Sequence, residues 1–194
     1  MLQHYIEVIG TITGLIYLVY SVKGNILLWP FGIITSALYI YVFFVSKFYA
    51  DMGLNVYYLV ISVYGWIHWS KGSNQEKKEE LPISRVSFKS AMWFLFWTVI
   101  FFIVISFILK DFTDSPVPFW DAFTTAASIV ATYMLAQKIM EHWLIWIVVD
   151  SVSAGLYVYK GLYPTVLLFI VYTTLAITGY FEWKRQWKKE IAEI

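Results

Sequence analysis

The chain has 194 residues, of which 60% are hydrophobic and 14% are charged, whereas an ordinary soluble domain is about 45–50% apolar and about 25% charged. A soluble globule of this length could not bury so much apolar surface, so we predict an integral membrane protein. The net charge of +1 excludes the basic surface of a nucleic-acid-binding protein, and the lack of cysteine excludes disulfides and thiolate chemistry. The three histidines are far apart in the sequence, so we predict no metal site and no cofactor.

Long apolar runs predict an all-α membrane protein, because a helix needs about 20 mostly apolar residues to cross the bilayer core. Breaks at charges, proline and glycine predict seven spans, at about residues 5–22, 25–46, 50–70, 88–110, 119–138, 142–160 and 162–183. The polar interval 71–89 is predicted to be a solvated loop. Lysine and arginine are concentrated in this loop and in the tail from Lys184. This bias predicts a cytoplasmic C-terminus and an external N-terminus in the plasma or inner membrane.

Similar segments recur along the chain and predict an internal repeat. When the sequence is aligned with itself at a shift of 114 residues, the segment YLVISVYGWIHW, which ends at Trp69, lies on YTTLAITGYFEW, which ends at Trp183. A different shift, 118, aligns an LYxY pattern at 38–41 with another at 156–159. We therefore predict a first three-helix bundle at 1–70, a linker region with one helix at 71–118, and a second bundle with the tail at 119–194. A parallel 3+1+3 repeat of this kind is typical of transporters whose substrate binds near the midplane.

Asp150 is the candidate residue with the clearest chemistry, because it lies in the middle of the sixth predicted span. A carboxylate in the membrane core costs about 2.5 kcal/mol or more and normally faces a polar cavity and a partner. No other predicted span contains a lysine or arginine at the same depth, so a cationic ligand would supply the missing charge. The alternatives are a protonated or hydrogen-bonded clamp between helices, and a proton-coupling site.

Polar and aromatic side chains at similar depth are the other candidates for substrate binding. Serine and threonine in such helices are also common interhelical contacts, and tryptophan and tyrosine are common at membrane interfaces. Aromatic faces could alternatively stack on a flat ring or hold a cation. The candidates are Thr35, Asn55, Ser62, Ser128 and Thr173, with the aromatic residues Tyr58, Trp120, Trp146 and Tyr157. The ends of spans 3 and 7 carry Trp66, Trp69, Tyr180 and Trp183, which we predict to form either an inner gate or interfacial anchors.

The motifs YGWIHW at 64–69, PFWD at 118–121 and WLIWIVVD at 143–150 resemble the PnuC vitamin transporters over essentially the whole chain. The resemblance implies a fold like that of the SWEET sugar transporters, a homotrimer, and uniport by facilitated diffusion. It also implies that phosphorylation of the vitamin in the cell drives uptake.

The resemblance implies amides at the positions held here by Thr35, Asn55, Ser62 and Asp150 in carriers of nicotinamide riboside. This chain keeps one amide and has an acid at another position, which resembles the thiamine-transporting branch called PnuT. We therefore expect a thiamine uniporter, with a nicotinamide riboside uniporter as the alternative. A membrane enzyme or a scaffold is a further alternative from another class, although the chain contains no catalytic constellation that favours an enzyme.

Overall fold

The structure is a computed structural model that describes residues 2–46, 49–72, 81–113, 115–159, 161 and 163–192. Part of the predicted loop, residues 73–80, lies outside the described residues. The described residues form seven α-helices and no strand, as the sequence predicts. They are α1 (Leu2–Val22), α2 (Leu28–Val45), α3 (Tyr49–Lys71), α4 (Phe88–Phe112), α5 (Pro118–Ala136), α6 (His142–Tyr159) and α7 (Tyr163–Ala192).

Local sequence explains where several helices begin and end. The Ser87 side chain caps α4 by accepting a hydrogen bond from the Ser90 backbone N–H, which satisfies one of the free donors of the first turn. Pro118 begins α5, at a position where its missing N–H is not needed. Gly24 and Gly72 follow α1 and α3 with φ near 64°, a left-handed conformation that glycine adopts at little cost.

Four helices are long and apolar enough to cross a membrane by length and composition. They are α2, α4, α6 and the Thr165–Ala192 part of α7, and α1 contributes a shorter apolar segment, Val8–Val22. The chain is therefore an integral membrane protein with several crossing helices. That α3 and α5 also cross the bilayer stays a prediction, as does the orientation of the termini.

The chain divides into two compact units. Unit 1 comprises Met1–Ile83, Ala136–Lys138 and Arg185–Ile194, and unit 2 comprises Ser84–Leu135 and Ile139–Lys184. Unit 1 therefore contains α1 to α3, and unit 2 contains α4, most of α5, α6 and most of α7. The boundaries predicted from the sequence, at residues 70 and 118, describe the order of the repeat along the chain. They are not the boundaries of these two units, and they stay a prediction.

Residues 81–87, the part of the predicted loop that leads into α4, are held by two glutamates. In unit 1, Glu190 on α7 accepts a hydrogen bond of 3.0 Å from the Ile83 backbone N–H. In unit 2, Glu141 pairs with Arg85 at 3.0 Å and accepts a bond of 2.9 Å from the Val86 backbone N–H. These bonds give the segment before α4 a defined course.

A single shift of 114 relates the helix ends of the two halves of the chain. Under this shift the bounds of α2 coincide with those of α6, the first residue of α3 coincides with that of α7, and the last residue of α1 coincides with that of α5. The shift of 118 proposed from the LYxY patterns is wrong for α2 and α6, because it would displace them by about one helical turn. The chance recurrence of tyrosine in an aromatic-rich chain explains that error.

A tryptophan of α2 fixes the packing of α3 in unit 1. The Trp29 ring is completely buried and lies against Gly65, where an added methyl group would overlap the ring. Trp69 meets the same ring edge-on, with centroids 5.4 Å apart. Glycine is thus required for this close approach, and the three residues form what we call the first tryptophan clamp.

Unit 2 contains the same arrangement 114 residues later. The Trp143 ring of α6 is buried against Gly179 of α7, where a methyl group would lie 2.6 Å from the ring atoms. Trp183 meets Trp143 edge-on at 6.0 Å. We call Trp143, Gly179 and Trp183 the second tryptophan clamp. The shared geometry at a shift of 114 supports the predicted repeat.

Candidate substrate-binding site

Asp150 is the ninth of the 18 residues of α6, so about 12 Å of helix precedes it at about 1.5 Å per residue. Its side chain is only 5% exposed. Among the described residues, no hydrogen bond or ion pair to Asp150 is formed. A buried carboxylate without a partner is costly, and this combination agrees with the sequence-based interpretation of Asp150 as a binding group.

Other residues of α6 surround Asp150 along one face of the helix. Trp146 precedes it by four residues and Ser153 follows it by three, and residues at these spacings lie next to each other on a helix surface. Ser153 is buried and Trp146 is half-buried. A carboxylate, an indole face and a hydroxyl therefore lie on adjacent turns of one helix.

The remaining predicted site residues of unit 2 differ in their surroundings. Ser128 is buried in α5, and the Tyr157 ring packs on Phe169 with centroids 5.1 Å apart. Thr173 donates to the Phe169 carbonyl within its own helix. Trp120 is more than half exposed at the start of α5. That these residues bind substrate stays a prediction.

In unit 1, the predicted site residues have local partners. The Asn55 amide donates to the Asp51 carbonyl at 2.9 Å in the same helix. Thr35 on α2 donates to the Thr13 hydroxyl on α1 at 2.8 Å. The Asn55 side chain therefore has a local partner, because the carbonyl one turn earlier is within its reach.

Ser62 and Tyr58 lie on α3 of the same unit. Ser62 is buried, and its Oγ lies 2.9 Å from where a methyl group on Gly32 would stand. The hydroxyl therefore faces α2 at a close helix–helix contact. The Tyr58 ring neighbours that of Tyr57 at 5.7 Å.

The four candidate gate residues separate into two pairs. Trp69 and Trp183 are buried within the two tryptophan clamps. Trp66 is 44% exposed, and Tyr180 is half-buried with Lys184 Nζ 5.7 Å from its ring centroid. The structure thus gives Trp69 and Trp183 a packing role within their units, and gating by any of the four stays a prediction.

Sequence reasoning singled out Trp29 as an aromatic residue near a helix start but missed its packing against Gly65, and it missed the buried His142 next to Trp143. His142 Nδ1 lies 2.8 Å from the Ile139 carbonyl, and its ring lies 4.5 Å from Trp143 and 4.8 Å from Trp183. Within the described structure, His142 Nε2 has no hydrogen-bond partner. A uniform shift of 114 along the sequence would have found Trp29 and Trp143 as a pair.

The chain can be placed among known proteins once this arrangement is described. A sequence model of the family described as nicotinamide mononucleotide transporter matches residues 4–185. The chain belongs to this family, the PnuC transporters. A PnuC protein is therefore a transporter in the membrane rather than an enzyme, and its cargo is a vitamin-type small molecule.

Individual PnuC relatives agree over nearly the full chain. The nicotinamide riboside transporter PnuC of Escherichia coli (strain K12) is 27% identical over 92% of this chain and 84% of its own length. The riboflavin/roseoflavin transporter RibM of Streptomyces davaonensis is 23% identical over 93% of this chain and 86% of its own. The crystal structure of the vitamin B3 transporter PnuC is similar to this chain with a TM-score of 0.75 at 25% identity, and the match covers 95% of this chain and 83% of that one. PnuC relatives therefore carry chemically different vitamins.

Proposed function

We propose that the protein is a uniporter that carries nicotinamide riboside by facilitated diffusion, with uptake driven by phosphorylation of the cargo inside the cell. The observation that carries the proposal is the buried and unpartnered Asp150. Nicotinamide riboside contains a positively charged pyridinium ring, which supplies the counter-charge that the described residues do not provide. The charge attraction is effective because a buried site has a lower effective dielectric constant than water.

The neighbouring side chains suit a flat cationic ring. Trp146 lies one turn from Asp150, and an indole face attracts a cation within about 6 Å of the ring centre. Among the family members named above, one is named for nicotinamide riboside and one for riboflavin. Because riboflavin has a neutral ring system, Asp150 favours the first type of cargo. We extend the proposal to a homotrimer with external N-termini, a SWEET-like parallel repeat and no coupled ion.

Thiamine is the second candidate, and the state of the polar residues in unit 1 favours it. A ribose needs several hydrogen-bonding groups, whereas Asn55 and Thr35 already have partners within unit 1. Thiamine has no ribose, and its aminopyrimidine ring matches the two oxygens of a carboxylate. Its thiazolium ring is also a permanent cation, so Asp150 is compatible with both vitamins.

Calorimetric titration of the detergent-purified protein tests these proposals with nicotinamide riboside, thiamine and riboflavin as separate ligands. Binding of nicotinamide riboside without detectable thiamine or riboflavin heat is the expected result. Binding of thiamine alone would replace the first candidate with the second. Binding of riboflavin alone would contradict the role of Asp150 as a counter-charge.

Uptake into sealed liposomes tests the transport mechanism for whichever vitamin binds. We expect the vitamin to equilibrate across the membrane at a rate that an imposed proton gradient does not change. Accumulation above the external concentration, driven by the gradient, would contradict uniport and identify a proton-coupled carrier. Binding without transport would favour a scaffold or receptor.

A further inference from the structure

The turn between α5 and α6 makes three consecutive contacts with the end of α3. Trp69 Nε1 donates a hydrogen bond of 3.0 Å to the Ala136 carbonyl. Gln137 Nε2 donates one of 2.6 Å to the Tyr64 hydroxyl. Lys138 Nζ lies 4.8 Å from the centroid of the Trp69 ring, within range of a cation–π interaction. These contacts explain why Ala136–Lys138 groups with unit 1 although α5 and α6 belong mostly to unit 2.

Lys138 occupies an unfavourable position for a lysine. Its backbone has φ of 54°, the only positive φ among the described residues other than glycine, and its side chain is 5% exposed. A left-handed backbone strains a residue that has a Cβ, and burial removes the ammonium group from water. The cation–π contact with the Trp69 ring, at 4.8 Å, offsets part of the cost of burying the ammonium group.

The equivalent turn between α1 and α2 shows that a lysine is not needed to close the chain here. A shift of 114 places Lys138 on Gly24, which adopts a similar φ of 64° without strain. At that turn, Gln186 on α7 reaches the Lys23 carbonyl at 3.4 Å, a longer bond than those at the α5–α6 turn. The turn itself therefore does not need a lysine at this position, and the role of Lys138 is its contact with Trp69 of α3.

We propose that Ala136, Gln137 and Lys138 form a latch on the end of α3 and that each transport cycle requires the latch to release. The proposal rests on the proposed transport function and adds residues to the predicted gate around Trp69. The latch holds the turn between α5 and α6 on α3 within unit 1. A transporter must change conformation to expose its cargo to each side in turn, and a strained, buried contact is suited to a bistable element.

Cross-linking tests whether release is necessary, and the absence of cysteine makes the design simple. In the double variant Gln137→Cys/Tyr64→Cys, a short bis-methanethiosulfonate reagent joins the two cysteines through two disulfides, with release of two sulfinate groups, and a thiol reductant cleaves these disulfides and reopens the latch. We expect vitamin uptake into liposomes to fall more than tenfold on closure and to recover on reduction, while calorimetric binding of the vitamin persists. Thr11→Cys/Tyr39→Cys is the matched control, because these side chains touch at 3.1 Å within unit 1 and their cross-link is expected to leave uptake unchanged. Undiminished uptake with the latch closed would overturn the proposal.

A second measurement does not depend on the cargo, so it separates failure of the latch from failure of the proposed function. The maleimide labelling rate of a single cysteine in Gln137→Cys reports exposure of the turn. Adding Lys138→Gly, which copies Gly24, removes the ammonium group and relieves the strain, and we expect labelling to be about tenfold faster. Lys138→Arg keeps the cation and should label nearly as slowly as the parent. Equal rates with lysine and glycine would show that Lys138 does not hold the turn, even if no vitamin is transported.

Discussion

The two units share their packing and differ in their chemistry. Trp29 with Gly65 in unit 1 repeats as Trp143 with Gly179 in unit 2, and each tryptophan is buried against its glycine. At three positions spaced four residues apart on α2 and on α6, however, the side chains differ. The positions Leu28, Gly32 and Ser36 of α2 correspond, under the shift of 114, to His142, Trp146 and Asp150 of α6.

This difference indicates that α2 and α6 share a packing arrangement and that the polar and aromatic side chains are found on α6. Residues four apart lie on successive turns of one helix face, so each triplet forms a stripe along its helix. In α2 the stripe contains apolar or small side chains, and in α6 it contains an imidazole, an indole and a carboxylate. A helix pair needs the clamp to pack, but it does not need the polar stripe. Under the proposed function, α6 recognises the cargo, and the α2 stripe serves as an internal reference.

The largest expected effect comes from neutralising Asp150. Asp150→Asn keeps the shape of the side chain and removes its charge, so it removes the attraction for a cationic vitamin. Losing one partner of a buried charge pair costs about 2–5 kcal/mol, which corresponds to a loss of affinity of about 30-fold or more. Calorimetry with the vitamin bound by the parent protein measures the change. Ser36→Ala, at the equivalent position of α2, should change affinity less than about threefold, and equal losses in both variants would remove the distinction between the stripes.

Stability tests whether the clamps are equivalent. Gly65→Ala and Gly179→Ala each place a methyl group inside a tryptophan ring that is completely or almost completely buried. Overpacking of this kind costs about 1–3 kcal/mol, so we expect each to lower the Tm in detergent by roughly 2–12 °C.

Gly53→Ala and Gly155→Ala are the matched controls, one in each unit, because an added methyl group meets no atom within 4 Å at either position. They should leave the Tm unchanged or raise it slightly. A large loss for only one clamp variant would show that the two arrangements are geometrically similar but not energetically equivalent.

Sequence patterns predicted the helices well, because apolar runs ended by charges, proline or glycine define membrane helices strongly. The structure moves most helix ends by only a few residues, and α7 continues past the predicted end at 183 to Ala192, since the basic tail still forms a helix. The position of Asp150 was also predictable, because a lone acid in an apolar run is conspicuous.

The partners of the polar side chains were not predictable in the same way. Asn55 forms a hydrogen bond within its own helix, and Thr35 forms one to a neighbouring helix. Whether a polar side chain does one or the other depends on how each helix is rotated about its axis, by only a fraction of a turn. The shift of 114 residues pairs two members of each clamp, but Trp29 and Trp143 stay unpaired because the LYxY patterns of α2 and α6 favour a different shift. Lys138 was missed because nothing in the sequence distinguishes a strained lysine from an exposed one.

Leu28 and His142 are the first residues of the two stripes. Replacing each with the other should change the stability of the protein less than the clamp variants do, and in opposite directions in the two units. His142→Leu copies Leu28 and removes the Nε2 atom that has no partner among the described residues, so we expect stability to be unchanged or to rise by about 1 kcal/mol. Leu28→His places an imidazole at a completely buried position and should cost about 1–3 kcal/mol. Thermal unfolding in detergent measures both. A large destabilisation by His142→Leu would show that the imidazole holds the second clamp together and that Leu28 is not its structural equivalent.

Replacing Asn55 should have the smallest effect on cargo binding, because its amide already donates to the Asp51 carbonyl in its own helix. In Asn55→Ala we expect vitamin affinity to change by less than about threefold, the scale of a weak hydrogen bond exchanged with water. Calorimetry next to Asp150→Asn makes the comparison direct, since both variants remove one polar group from a helix. If Asn55→Ala instead weakened binding as much as Asp150→Asn, the amide would have to leave Asp51 when the vitamin binds. Recognition would then involve α3 of unit 1 as well as α6, and the division of labour between the units would have to be abandoned.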